Sequence, residues 1–274
     1  HMVDKHHGRN ILLADLRSAV NMRFPLAVAG VVLCFCLDNW ETLKVIPYSR
    51  SGSLCVFYFF FNSYSFGGIF MSYFSCLLAA LPFSARYSQE HQGGMNVYAL
   101  FRCGKRNYAI SKILVAGLSG GAVLLLGALI FILTLTNYLP IVTPSKLIDY
   151  QGLPYYNALA SGEGWRYFFI TLYLAFLSGT LYGCAGMAVS AFFPIPCVSI
   201  CAPMVLNFII VEFGRLARLP SGLRLDLLLK ARGKISSDRL TLVLVTTAVF
   251  IICWAFYKFF LTRVCQRLEE AERC

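Results

Sequence analysis

The chain has 274 residues, 58% of them hydrophobic and only 14% charged, with a mean hydropathy of +0.66. Ordinary soluble domains carry about 45–50% apolar and about 25% charged residues, so the composition reads as an integral membrane protein. At about 20 residues per bilayer span, six spans leave short loops and exclude a separate ATPase or other large soluble domain.

In chain order, His1-Met2 reads as a cloning scar, with His6-His7 in a tail beside it. Over 11–23 the apolar residues Leu12, Leu16 and Val20 recur at helical period, with Asp15, Arg17, Asn21 and Arg23 opposite. This predicts a helix lying in the membrane interface. Residues 24–40 are apolar up to Asp38, and no small-x-small cleavage site precedes Asp38-Asn39, so the segment reads as a retained first span. Residues 55–83 exceed one perpendicular span. Asn62, Ser63, Ser65, Gly67 and Gly68 divide them, so the first part is expected at the outer surface and 66–83 to cross.

After the polar, basic stretch 84–106, a third span is expected at 110–135, with Gly117, Gly121 and Gly127 forming a small-residue stripe. A Pro-, Tyr- and Gly-rich loop follows over 137–166, and a fourth span over 167–192 carries Gly179, Gly183 and Gly186. Pro194 and Pro196 enforce a tight turn before a fifth span at 197–213. The sixth is expected at 241–261, and 262–274 reads as a polar helical tail. The domain division is thus 1–23 (tail and interfacial helix), 24–261 (six-span domain with a loop at 84–107) and 262–274 (C-terminal tail).

The balance of 24 Lys and Arg against 13 Asp and Glu, net +11, fits membrane-flanking loops facing anionic lipid, and no basic stripe points to nucleic acid. With both termini in the cytoplasm, the positive-inside excess is thin. Arg215, Arg218, Arg224, Lys230, Arg232, Lys234 and Arg239 all fall between the fifth and sixth spans, on the outside. The loop is outside and meets anionic groups, or it is inside after a miscounted span, or the fifth span is re-entrant. The first reading is preferred because Leu216, Leu219, Leu223 and Leu227 read as a surface helix broken at Pro220-Ser221-Gly222, with Arg215, Arg218 and Arg224 as candidate anion contacts. The eleven cysteines sit mostly in apolar runs and read as small buried hydrophobes. No zinc-type spacing occurs and no metal site is expected.

The informative stretch is 81–114. It presents Glu90, Gly93-Gly94, a helix with Val97, Leu100 and Phe101 on one side, a turn at Gly104 flanked by Arg102, Lys105 and Arg106, then Ser111-Lys112 at the membrane. From physics alone, a force-transmitting helix and a solvated basic loop are equally good readings. This order of Glu, Gly, amphipathic helix, basic turn and Ser-Lys before a glycine-containing span resembles the coupling region of type-2 ABC transporter permeases, the ABC-2 superfamily. The resemblance implies an all-α, six-span permease with an N-terminal interfacial helix and a cytoplasmic coupling helix. It also implies that Glu90, Gly93, Gly94, Val97, Leu100, Phe101, Arg102 and Arg106 contact or position a separate ATP-binding subunit, present in two copies. Two permease chains, identical or not, would then face each other in a cytoplasmic (inner) membrane. The double glycine and the basic last loop depart from the family pattern.

No GxxxxGK[ST] occurs, so no phosphate cradle is expected here, and ATP and Mg belong to the partner. No cofactor and no catalytic residue is expected in this chain. The 23 Phe and 15 Tyr read as packing and interfacial belts before they read as a substrate path. Only Glu212 comes near membrane depth among ionisable residues, which disfavours ion-coupled transport. The expected function is export of an amphipathic peptide, antibiotic or lipid-like molecule, and the alternative is a non-transporting sensor or assembly subunit of a heteromeric complex. An intramembrane enzyme is disfavoured because no histidine falls within a span.

Overall fold

The computed structural model describes residues 2–45, 54–143, 152–160, 164–235 and 237–272; the side chains of Val97 and Phe101 lie outside the described ones. The described residues are helical without a strand, as expected of apolar segments that must satisfy their backbone hydrogen bonds internally. The helices are α1 (Met2–Ala19), α2 (Arg23–Asp38), α3 (Trp40–Val45), α4 (Val56–Phe60) running into a π-helical turn (Phe61–Ser65), α5 (Ile69–Ala80), α6 (Arg86–Gln92), α7 (Met95–Cys103), α8 (Lys105–Thr136), α9 (Tyr156–Ala160), α10 (Gly164–Phe192), α11 (Pro196–Leu216), α12 (Leu225–Leu229) and α13 (Asp238–Glu272).

Four of these, α8, α10, α11 and α13, are long and apolar enough to cross a membrane. The number rises to as many as six if each of two bent pairs, α1 with α2 (47°) and α4 with α5 (70°), is one span. The tail expected as a separate helix is the uninterrupted continuation of α13.

At the centre, α8 and α10 pack backbone to backbone. A Cβ on Gly120 would lie 2.5 Å from the Gly179 carbonyl oxygen and 2.8 Å from that of Ala79, and one on Gly183 would strike the Ala116 carbonyl. Gly117, Gly120 and Gly121 of α8 and Gly179 and Gly183 of α10 are therefore spent on each other within one chain, the close approach that small residues permit in lipid, whereas Gly127 faces Val31 of α2 and Gly186 faces Ser199 of α11. By contrast, only 17% of the apolar windows of α11 and α13 is buried, against 56% for α8 and 67% for α10, so α11 and α13 form the outer wall.

The segment expected at the outer surface before α5 is instead inserted into the bundle. Val56, Phe57, Phe59, Phe60 and Tyr64 are buried; Phe60 stacks on Phe35 and meets Phe168 edge-on, and Phe35 stacks on Phe131. Its polar demands are met from two sides. The Val56 and Phe57 amides donate to the Pro140 and Ile141 carbonyls, and the Asn39 amide donates to the Phe59 carbonyl (3.2 Å) and Ser63 Oγ (2.6 Å). After Gly67, at φ +87°, the Asp38 carboxylate accepts the Phe70 and Met71 N–H groups (2.9 and 3.0 Å) and so satisfies orphan donors at the start of α5.

The basic segment after α11 folds back on this same end. Lys230 Nζ donates to Ser72 Oγ (3.1 Å), Tyr64 OH to the Leu229 carbonyl (3.0 Å), and Arg232 stands over the Phe66 ring. In place of one broken surface helix, α11 extends to Leu216 and only the short α12 follows. The start of α11 adjoins Gln92, whose amide donates to the Pro194 carbonyl (3.1 Å). The basic segment and the 84–107 loop thus occupy opposite ends of the bundle.

Candidate functional site

The 84–107 loop folds as the helix pair α6–α7. Two glycines bracket α7 with positive φ, Gly94 at +68° and Gly104 at +78°, values that favour glycine because it lacks a Cβ. Gly93 has an ordinary φ of −84°, so only the second glycine of the pair is conformationally required.

Below this pair lies Lys112, in the second turn of α8 and 2% exposed. Its ammonium donates to Asp15 Oδ1 of α1 (2.8 Å) and to Glu90 Oε1 of α6 (2.7 Å). Neighbours on the same face of α8 complete the hub. Ser111 Oγ donates to Asp15 Oδ2 (2.7 Å) and Tyr108 OH to Glu90 Oε2 (2.8 Å), while Arg86 Nε reaches Glu90 Oε1 from the preceding turn of α6 (2.9 Å). The rings of Phe83 and Tyr108 flank the ammonium at 5.5 and 5.2 Å. Two carboxylates face two cations, and this is the condition under which buried charge is tolerated. Burial alone would raise the Glu90 pKa, but the Lys112 ammonium, the hydrogen bonds from Lys112 and Tyr108 and the charge of Arg86 hold it below its ordinary value.

A second set of bonds ties the loop to the rest of that end. His91 meets the Asn96 amide through Nδ1 and Arg267 of α13 through Nε2, both at 3.0 Å. Arg267 also donates to the Phe192 carbonyl at the end of α10 (2.8 Å). Arg267 can only donate, so His91 Nε2 accepts from it. Burial, then the charge of Arg267, lowers the His91 pKa. Ser88 and Ser199 share a hydrogen bond (3.0 Å) between α6 and α11. The loop is thereby bonded directly to α8, α11 and α13, to α10 through the Ser84 hydroxyl and the Gly183 carbonyl, and to α1 by way of Lys112.

Of the residues expected to serve this loop, Glu90 turns inward to Lys112, and Leu100 is buried at 4% exposure in a cluster with Tyr87, Cys103 and Tyr108. Gly93, Gly94, Arg102 and Arg106 face outward. At the opposite end Arg215 and Arg218 are exposed, Arg215 with Glu212 at 2.7 Å. Arg224 instead closes a two-bond pair with Asp226 (2.7 and 3.3 Å) and is spent inside the fold.

The pairing of Asp15, Tyr108, Lys112 and Arg267 is not apparent from the sequence. Asp15, on the polar face of its helix by period, is buried against Lys112. The available signal was a lone acid in α1 and a Ser-Lys pair entering an apolar helix. No cluster of three metal-ligating side chains occurs among the described residues.

No family model, curated protein or solved structure matches the chain. Its function is therefore argued from its own residues.

Proposed function

We propose that this chain is the transmembrane permease subunit of an ATP-driven exporter of the ABC-2 type, with six spans and both termini in the cytoplasm. In this reading it works beside a second permease chain and two copies of a separate ATP-binding subunit. The observation that carries it is the α6–α7 pair, whose outer surface offers Arg102, followed by Arg106 in the first turn of α8, while its inner surface is fixed to the bundle through Glu90 and Lys112. A soluble motor pressing on the outer surface displaces a helix pair bonded to α8, α11 and α13, and through Lys112 and Arg267 to α1 and α10. Glu90 and Leu100 serve by positioning the loop, and Gly93, Gly94, Arg102 and Arg106 lie where a partner docks.

The six-span count takes each bent pair as one crossing, so that α5 and α2 complete the set. The basic segment after α11 is then extracellular, with Arg215 and Arg218 open to anionic groups. The cargo is an amphipathic peptide, antibiotic or lipid-like molecule, moved as motor closure switches the permease pair between inward- and outward-open states. ATP and Mg are bound by the partner.

Co-purification with a candidate ATP-binding subunit tests the reading. Arg106→Glu reverses an exposed charge without touching the hub and is expected to weaken association; undiminished co-purification rejects the docking role.

A further inference from the structure

Beside the loop, the outer wall carries a further feature, which shares Arg106 with the proposed docking surface. Between α8, α10 and α13 runs an apolar groove of about 450 Å3, open to the side. One rim is the exposed stripe Ile110, Leu114 and Leu118 of α8, and the other is Phe250 and Trp254 of α13. Both stripes repeat every four residues, and the same period continues each of them into a cation. One turn before Ile110 stands Arg106, and one turn after Trp254 stands Lys258, both exposed. Because α8 leaves the 84–107 end and α13 returns to it, the two cations lie at the same end of the groove. Lys258 Nζ sits 5.2 Å above the Trp254 ring, which holds the ammonium beside the groove.

We infer that this groove binds an anionic phospholipid, its phosphate between Arg106 and Lys258 and one acyl chain along the Ile110–Leu118 and Phe250–Trp254 stripes. Dimensions agree. The eight helical steps from Ile110 to Leu118 rise about 12 Å, most of the roughly 15 Å that one leaflet contributes to a hydrocarbon core of about 30 Å. Charge selects the occupant. A second copy docking by two-fold symmetry sets this cation-bearing surface against itself, whereas an anionic headgroup complements it, and basic pockets between membrane helices bind such headgroups. The inference rests on the membrane-spanning part of the proposed function and not on transport.

The test uses Trp254 as reporter. The chain has three Trp; with Trp40→Phe and Trp165→Phe, the protein is reconstituted in phosphatidylcholine vesicles. These contain equal mole fractions of either phosphatidylglycerol or phosphatidylcholine brominated on the acyl chains. Brominated phosphatidylglycerol is expected to quench Trp254 with a relative association constant on the order of fivefold higher per cation. Arg106→Gln with Lys258→Gln brings the ratio to one, and Arg239→Gln, at the opposite end, leaves it unchanged. Equal quenching by the two lipids overturns the inference, as does a preference that survives the double substitution, which marks bulk adsorption. Absence of quenching by either lipid also overturns it; cross-linked dimers then identify a second copy in the groove, and their absence removes the membrane-spanning reading itself.

Discussion

Replacing Lys112 by Met removes the ammonium while keeping most of the stem's volume in a site where 2% of the residue is exposed. Two charge-assisted bonds are lost, at 2.8 Å to Asp15 and 2.7 Å to Glu90. The carboxylates fare differently afterwards. Glu90 keeps Arg86 and Tyr108, whereas among the described residues Asp15 keeps only the neutral Ser111 hydroxyl and becomes a buried, uncompensated charge. Breaking a buried pair from one side typically costs about 3–5 kcal/mol, so Lys112→Met is expected to lower stability by about that amount. The measurement is unfolding of the detergent-solubilised chain followed by helical circular dichroism, with Asp15→Asn and the double variant completing a cycle. With the carboxylate already neutral, Lys112→Met in the Asp15→Asn background should cost markedly less. A loss under about 1 kcal/mol, or strictly additive substitutions, refutes the view that α1 is held to α8 by this pair.

Two further outcomes follow from the same geometry. The lowered pKa of His91 means that the unfolded state takes up a proton first, so stability present above pH ~6.5 declines as the pH falls to and through the lower folded value. Glu90, also lowered, contributes stability that is full above the ordinary carboxylate range and is lost at still lower pH. A pH series of thermal melts on wild type and His91→Gln separates them, since only the neutral-range step vanishes in the variant; an unchanged step contradicts the His91–Arg267 contact. Gly183→Leu drives a side chain into the Ala116 carbonyl on α8 and should cost about 1–3 kcal/mol or more, whereas the same change at Gly94, where a Cβ meets nothing within 4 Å, carries only the left-handed backbone cost of about 1 kcal/mol. Equal losses at the two glycines count against the close α8–α10 packing.

Membrane class and the positions of α8, α10, α11 and α13 were legible because a continuous apolar run of span length has few alternatives in lipid. The glycine periodicity of α8 and α10 was equally plain, though its use within one chain needed the third dimension. The aromatic run before α5 misled because hydropathy cannot distinguish a segment at the surface from one inserted among Phe35, Phe131 and Phe168; the pairing of Asn39 with Phe59 and Ser63 decides that. Of the 84–107 loop, Gly94, Gly104 and the exposed basic residues could be read from spacing. The hub could not, since Asp15 and Lys112 stand 97 residues apart and each alone resembles a solvated charge.

The measurement that bears most directly on the account is ATP hydrolysis by a candidate ATP-binding subunit reconstituted with this chain in lipid nanodiscs. Under the proposed function, hydrolysis depends on this chain and falls when Arg106→Glu or Lys112→Met is introduced, the first through docking and the second through the hub. Hydrolysis indifferent to the chain and to both substitutions would contradict it.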